Sequence, residues 1–323
     1  MPDDARLLLL NKDDVEKLLN PDDVMQAVRE AFVLHSCKEG RVFPVIRESL
    51  PGHGVFGIKA GDVQVRSTLG FKAAGFWPNN RQKEGEPHQA TVMLIDPATG
   101  RPTCLIDGNA ITTMRTGAAG GLGLMNLART DSIRLCVFGT GVQARIQVFF
   151  ALRLIPLLRQ VSYVSWNGQP DEGFERHFEG CCEIRCATDK NMSVAESDIV
   201  ITATPGGGPL FDMNAVQPGT HLNCVGADTK GKRELPDGLL QRVRLFVDDH
   251  DQARQIGETQ WAPDIPCTEL GDVLTGRSVV TRDPKDITLF DMTGLALQDL
   301  TTAHMLQLRA QASGAGTYVA WPW

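Results

Sequence analysis

Apolar and polar positions along the chain fall into two regimes. In the first, up to about Asn109, one helical segment precedes a series of strand-like ones. Pro21 to Leu34 has helical spacing. Asn20 stands as N-cap, Pro21 takes the first position, and Val24, Val28, Ala31 and Phe32 recur on one face. After Gly40 the period shortens. Val42 to Leu50, Val55 to Ala60, Leu69 to Ala74, Ala90 to Asp96 and Thr103 to Asp107 are short apolar runs separated by Gly, Pro, Asn and Asp. This pattern predicts a mostly antiparallel sheet, with Pro97-Ala98-Thr99-Gly100 as a hairpin turn.

In the second regime strand and helix alternate. Ile111 to Leu127 is Ala- and Gly-rich and reads as a closely packed helix. Ser132 to Phe138 is a buried strand, and a helical run to Leu152 follows it. Further strands are read at Val161 to Trp166, Asp198 to Ala203, His221 to Val225, Leu245 to Val247 and Leu289 to Met292. Such alternation predicts a parallel sheet covered on both faces. A last helix, Leu295 to Gln311, is expected to fold back onto the first region. The fold class is therefore α/β, a Rossmann-type doubly wound sheet domain plus a second, α+β domain. No internal repeat is seen.

Composition narrows the function classes. The 323 residues suit two domains, and 42% hydrophobic with 22% charged residues is an ordinary globular balance. The formal net charge of −7 argues against nucleic acid as a partner, because that mode needs a basic surface. The apolar run at Leu7 to Leu10 is too short for a signal peptide and is flanked by acids. Val148 to Leu158 is broken by Arg153 and Pro156 and cannot span a bilayer. The expectation is a cytoplasmic protein with no membrane partner. The eight cysteines are then reduced thiols. Cys181-Cys182 and Cys186 form a tight group, but no second pair at zinc spacing follows. The group reads as a polar turn entering a strand, and no metal is expected.

Chemistry concentrates at strand ends. Gly139-x-Gly141-x-x-Ala144 follows a buried strand and opens a helix, the context that gives a glycine pattern meaning. The first glycine permits the turn, and the second lets backbone approach a pyrophosphate at the helix N-terminus. Gly139, Thr140, Gly141, Val142 and Gln143 are thus candidate cofactor residues. After the next strand comes Trp166-Asn167-Gly168. Neither an acid for the NAD ribose nor an arginine for the NADP phosphate stands at Asn167, and the missing acid leans the reading slightly to NADP. Thr202, Ala203 and Thr204 end one strand with small polar groups, and Val225 ends another before Gly226-Ala227-Asp228. By composition Asp228 is either a turn residue or a proton relay. Arg47, Lys72 and Arg115 each lie in an apolar segment. A buried charge must be paired. They are either internally paired or solvated charges, or a clamp for a small carboxylate.

Taken together, the chain resembles the ornithine cyclodeaminase/mu-crystallin family from about Asp13 to Ala310. The resemblance is carried by Glu86-Pro87-His88-Gln89-Ala90-Thr91-Val92, the run from Asp107 to Ala118, Gly139-Thr-Gly-Val-Gln143-Ala, Gly226-Ala-Asp228-x-x-Gly231-Lys232-x-Glu234, and Gly294-Leu-Ala-Leu-Gln298-Asp299. It implies a Rossmann domain over 116–294 spliced into a substrate-binding and homodimerising domain over 1–115 and 295–323. It implies that Arg47, Lys72 and Arg115 hold a substrate carboxylate and that Asp228 is the acid/base. Lys72 is counted with Asp228 as catalytic. Thr116, Gln143, Lys232 and Thr293 match positions near the cofactor in relatives. The chain departs from the family where many members carry Met-Pro and this one has Lys59-Ala60. It departs again where ornithine-cyclising members have an acid and this one has Gly57.

Three readings follow. The first is an NAD(P)-dependent reductase acting at the α-carbon of a small amino or imino acid, either a ketimine or imino-acid reductase or an enzyme like alanine dehydrogenase. The second is a cyclodeaminase that turns ornithine into proline and ammonia with recycled NAD. The third is a binding protein for NADPH and a small ligand, in the manner of mu-crystallin. Asp228, which mu-crystallin-like sequences lack, favours catalysis.

Overall fold

In the computed structural model, which describes residues 6–52 and 54–321, the amino-terminal apolar run is a strand, β1 (Arg6–Leu10). The acids that precede this run lie outside the described residues. Helix α1 (Lys12–Leu18) opens on a capping box, in which Asn11 Oδ1 accepts from Asp14 N at 3.0 Å and Asn11 N donates to Asp14 Oδ2 at 3.2 Å. Helix α2 (Pro21–Ser36) begins where its cap predicts, with Asn20 Oδ1 accepting from Asp22 N at 2.9 Å. It runs two residues further than expected because His35 and Ser36 are buried.

The strands that follow are β2 (Gly40–Val42), β3 (Ile46–Ser49), β4 (Val55–Val63), β5 (Thr68–Phe76), β6 (His88–Ile95) and β7 (Pro102–Asp107). The single strand expected over Val42 to Leu50 is two. Pro44 has no amide N–H to give a ladder, and the pieces on either side of it pair with different stretches of β4. The turn at 97–100 joins β6 to β7 as read, closed by Gly100 N donating to Asp96 O at 2.8 Å. Helix α3 (Gly108–Leu127) starts earlier than expected, where the Asp107 side chain accepts from Asn109 N.

Then comes the alternating part: β8 (Arg134–Phe138), α4 (Val142–Leu154), β9 (Gln160–Val164), α5 (Glu172–His177), β10 (Glu183–Cys186), α6 (Lys190–Ala195), β11 (Ile199–Thr202), β12 (His221–Cys224), β13 (Arg244–Val247), α7 (His250–Ile256), β14 (Cys267–Glu269), α8 (Leu270–Leu274) and β15 (Thr288–Asp291). Its sheet is parallel throughout, in the order β10-β9-β8-β11-β12-β15-β13-β14. The chain builds outward from β8 to β10 and then crosses back to β11. The strand order therefore reverses between β8 and β11, where an open α/β sheet leaves a crevice at its carboxyl edge. Strands β8 and β11 are almost wholly buried apolar runs, as a sheet covered on both faces requires. Cys186 ends β10 after the turn that carries Cys181 and Cys182, and all eight cysteines are free thiols.

The last elements are α9 (Ala296–Ser313) and β16 (Thr317–Ala320). The first sheet runs β16-β1-β7-β6-β5-β4-β2, with β3 also on β4, and is antiparallel except between β1 and β7. Helix α9 packs across it, burying Leu297, Leu300, Ala303 and Leu306 with Val63, Val92, Leu94 and Ile106. Glycine makes the approach close. A Cβ on Gly70 would stand 2.9 Å from Leu300 Cδ2, and one on Gly61 3.4 Å from Leu297 Cδ2. By contacts the chain divides into two units, Met1–Arg115 with Leu295–Trp323, and Thr116–Gly294. Among the described residues no helix is long and apolar enough to cross a membrane.

Candidate functional site

The face of the first sheet that meets α9 carries a cluster of charge. Residues opposed across antiparallel strands share a face, and side chains alternate along each strand. Lys72 on β5 is opposite Lys59 on β4 and Val92 on β6. Two residues along, Ala74 is opposite Gly57 and Ala90, and Gly57 is opposite Arg47. Next, Phe76 is opposite His88. Arg47, Lys59, Lys72 and His88 therefore stand on one face, around a floor of Gly57, Ala74 and Ala90.

Lys72 and Arg115 are buried, at 4% and 7% exposure, and both reach the fully buried Asp299 of α9. Lys72 Nζ donates to the Asp299 carboxylate at 2.8 Å and to Thr112 Oγ1 at 3.3 Å. Arg115 donates from Nε to Asp299 Oδ1 at 3.2 Å and from Nη1 to Gln298 Oε1 at 3.0 Å. The Nε2 donor of Gln298 is buried without a partner. Burial drives the Lys72 ammonium down to about 7, and the Arg115 charge adds to the fall. Burial alone would raise Asp299, but the charges of Lys72 and Arg115 hold its carboxyl below the ordinary range. Two buried cations on one carboxylate leave positive charge that a small anion would neutralise. Arg47 is less buried than these two. Its side chain crosses Gly57, where a Cβ would meet Arg47 Cδ at 3.2 Å.

His88 Nδ1 lies 3.1 Å from Asn109 Oδ1, and Asn109 Nδ2 donates to Glu86 Oε2 at 2.9 Å, so the His88 proton sits on Nδ1. Burial, then the Lys72 charge, lowers its pKa and keeps the ring neutral. Asp299, Gln298, Thr112, Lys59 and His88 were not assigned from the sequence. The pairing rule required a partner for Lys72 and Arg115, but Asp299 lies far along the chain, where no spacing argument reaches. Gln298, Asp299 and His88 did stand within the quoted family segments.

The second set lies at the carboxyl edge of the parallel sheet. Gly139 has φ +102°, and a Cβ there would meet Ala203 O at 2.7 Å, so the ends of β8 and β11 touch through this glycine. Gly141 caps α4 with no side-chain hydrogen bond, and nothing lies within 4 Å of where its Cβ would be. Gln143 Oε1, in the first turn of α4, is buried without a partner. The first amides of α4 are thus left to an acceptor from outside the helix. Asn167 accepts from Ser165 Oγ at 3.2 Å and Gln169 N at 3.0 Å, shaping the turn after β9.

Three buried acids staple the remaining edge loops. Glu234 accepts from Thr204 N and Oγ1, both at 2.7 Å, and from Gly226 N at 2.8 Å. Val225 N donates to Thr202 O at 2.8 Å, continuing the edge. Glu258 accepts from Glu234 N at 2.6 Å, and Asp291 from Thr259 N at 2.8 Å and Thr259 Oγ1 at 2.7 Å. Thr293 donates to Asp248 Oδ1 at 2.7 Å and accepts from Gln252 Nε2 at 2.6 Å. Thr116 O accepts from Gln147 Nε2 at 2.8 Å. Asp228 and Lys232 form an ion pair at 2.7 Å, each side chain about a third exposed, and Thr229 Oγ1 donates to the same Asp228 oxygen. The structure therefore joins Lys72 to Arg115 in one unit and Asp228 to Lys232 in the other.

Comparison with known proteins matches residues 6–314 to the ornithine cyclodeaminase/mu-crystallin family. The chain is 32% identical over 324 residues to the iminosuccinate reductase of Paracoccus denitrificans, covering 97% of this chain and 99% of that one. Among solved structures it is similar to an archaeal alanine dehydrogenase dimer with bound NAD, with TM-score 0.91 and 28% identity over 98% of this chain and 100% of that one. It is also similar to the Thermococcus litoralis Δ1-pyrroline-2-carboxylate reductase in complex with NADH and L-proline, with TM-score 0.89 and 28% identity over 97% of this chain and 100% of the other.

Proposed function

The chain belongs to the ornithine cyclodeaminase/mu-crystallin family, and from that premise we propose that it is an NAD(P)-dependent reductase of small α-imino acids. The observation that carries this reading is the buried Lys72–Arg115 pair on Asp299, which holds more positive than negative charge. An imino acid presents its carboxylate there. Gln298 Nε2 supplies a further donor beside the guanidinium. Positioning of this kind fixes the reacting carbon and contributes to rate by removing orientational freedom. Asp228 is the acid/base that serves the substrate nitrogen, and Lys232 holds its carboxylate in place. Lys72 is assigned with it to the catalytic set.

The parallel-sheet unit, 116–294, is read as the cofactor domain, and 1–115 with 295–323 as the substrate and dimer domain. The residues fit a dinucleotide. An open Gly141, uncapped α4 amides and the orphaned Gln143 Oε1 present donors and an acceptor to a pyrophosphate and its neighbours. Such a cofactor supplies or accepts a hydride, so that imino acid, NAD(P)H and a proton give amino acid and NAD(P)⁺. Thr116, Thr140, Val142, Thr202, Ala203, Thr204, Val225 and Thr293 are assigned to its surroundings by resemblance. Asn167 sets no negative charge against a 2′-phosphate, the basis for the lean to NADPH. The relatives' complexes hold NAD or NADH.

Lys59 has the wrong sign to receive a second ammonium group, which counts against ornithine as substrate. The homodimer reading is supported by the outer face of the first sheet, where Ile58, Phe71, Met93 and Ile95 are only half-buried. Free thiols fit a reducing compartment, the cytoplasm. The test is absorbance at 340 nm with NADH or NADPH against cyclic imino acids and 2-oxo acids with ammonium. Consumption is expected with at least one. Silence with all, and proline released from ornithine on catalytic NAD⁺, would replace the reductase with a cyclodeaminase.

A further inference from the structure

We propose that Gln260 and Trp261 are positioning residues for the reaction, clamping the loop that follows Asp228 so that its carboxylate keeps its pairing with Lys232. This rests on the reading of Asp228 as the acid/base and names what holds it. Both residues lie on the single helical turn Glu258–Trp261, which follows α7. That turn is fixed to the parallel sheet. Asp291, the last residue of β15, accepts from Glu258 N at 3.0 Å and from Thr259 N at 2.8 Å. From this footing the two side chains reach the loop. Gln260 Oε1 accepts from Gly231 N at 2.7 Å, and its Nε2 donates to Gly257 O at 2.7 Å and to Lys232 O at 3.3 Å. Trp261 Nε1 donates to Lys232 O at 3.0 Å, and the Arg233 guanidinium lies over the same indole, 5.2 Å from the ring centroid. The partners fix which way the Gln260 amide points, with an N–H on its oxygen side and carbonyls on its nitrogen side.

The ends of this loop are tied independently of the clamp. The Glu234 carboxylate joins Gly226 to Thr204, and the backbone of Arg233 and Glu234 pairs with Gly206, Gly208 and Leu210. The Gln260 and Trp261 contacts fall between those ends, on Gly231 and Lys232. Gly231 has φ +87°, a conformation that favours glycine, and from this exposed turn its N–H meets Gln260. Lys232 is held twice. Its stem lies against Gly206, where a Cβ would meet Lys232 Cβ at 3.0 Å, and its carbonyl accepts from both clamp side chains. Its ammonium then meets Asp228 Oδ1 at 2.7 Å, although both side chains are about a third exposed. An ion pair with that much exposure holds its geometry weakly by itself. The clamp supplies the order that the pair lacks. Glutamine suits the task because it accepts and donates at once, whereas methionine, of similar length, has no donor and only a weak acceptor.

The experiment measures kcat, KM for a cyclic imino acid and Kd for the cofactor in Gln260→Met and Trp261→Phe, each alone and combined with Asp228→Asn. Gln260→Met should lower kcat by ~10–10²-fold, the scale of a displaced catalytic group, with KM and Kd within about twofold of the wild type. Trp261→Phe keeps a ring against Arg233, removes one donor and should lower kcat by roughly 3- to 10-fold. It decides the question where Gln260→Met does not fold. On Asp228→Asn, either change should alter the residual rate by less than about twofold, because the effect runs through Asp228. An unchanged kcat in the single variants, or an equal fall on both backgrounds, overturns the proposal. Hydrogen exchange at the Gly231 amide reads the clamp without turnover. It should be at least ~10-fold faster in Gln260→Met than in the wild type, and equal exchange overturns the proposal. Full turnover in Asp228→Asn removes the acid/base reading itself. A loss in Asp228→Asn with none in Gln260→Met removes the positioning role alone.

Discussion

The two units bury charge in opposite ways. In the first, Lys72 and Arg115 are satisfied by one carboxylate, Asp299, with Lys59 and Arg47 on the same face. In the second, Glu234, Glu258 and Asp291 are satisfied by backbone amides and threonine hydroxyls of the loops they join. Burial outweighs those hydrogen bonds and raises all three acids, so they fix loops rather than present charge. On the proposed function, two cations sharing one carboxylate are the arrangement that receives a substrate carboxylate.

The sharpest way to break the comparison is to remove Asp299. Asp299→Asn leaves two buried cations without their anion and is expected to cost about 3–5 kcal/mol of stability, read as a fall in the denaturant midpoint. It should also abolish productive carboxylate binding. A midpoint shift no larger than that of Thr112→Ala would show that the cations are not held as described. Second in size, Asp228→Asn should lower kcat by ~10²–10⁴ while the Kd for cofactor, followed by nicotinamide fluorescence, changes little. Retained turnover would take Asp228 out of the mechanism. Third, Arg115→Ala should act mainly on KM for the imino acid, by a factor corresponding to about 2–5 kcal/mol. An unchanged KM would count against the clamp.

Two pH experiments sharpen the contrast. Lys72 binds a carboxylate as the ammonium, and its pKa is lowered to about 7 by burial. In the free enzyme log kcat/KM should therefore fall as pH rises above ~7. Lys72→Arg should remove that limb in the same assay, and a limb that persists belongs to another group. In the second unit the sign concerns stability. Burial raises Glu258 to about 8 and Asp291 to about 7, above their unfolded values. Folding then holds protons that the unfolded chain has released. The contribution is complete below about pH 4 and is lost as pH rises through 7 to 8. Tm should decline between pH 6 and 9, and the decline should be shallower in Glu258→Gln. A Tm that rises over that range would reverse the assignment.

Much of the fold was legible because long elements carry their own signals. Asn20 and Pro21 announce α2, and the glycines after β8 announce the turn into α4. The elements not foreseen are β1, α1, α5 to α8, β14 and β16, all of them three to seven residues long and too short for periodicity to declare. The break between β2 and β3 was available in Pro44 but was read through. In the site, Lys72 and Arg115 stood out as charges in apolar runs, and both are buried. Their partner Asp299 did not, because a contact between β5 and α9 depends on topology rather than spacing. Lys59 was visible only as a departure from the family. The β4–β5 register, not any spacing, places it across from Lys72.

The most direct test of the central claim is cofactor oxidation at 340 nm by the purified chain, with 2-oxo acids in the presence and absence of ammonium and with a preformed cyclic imino acid. The account predicts net, stoichiometric loss of NADH or NADPH that requires the imine, so that omitting ammonium abolishes it for the oxo acids alone. Ammonium-independent oxidation with the 2-oxo acids, or none with any imino acid, would contradict it.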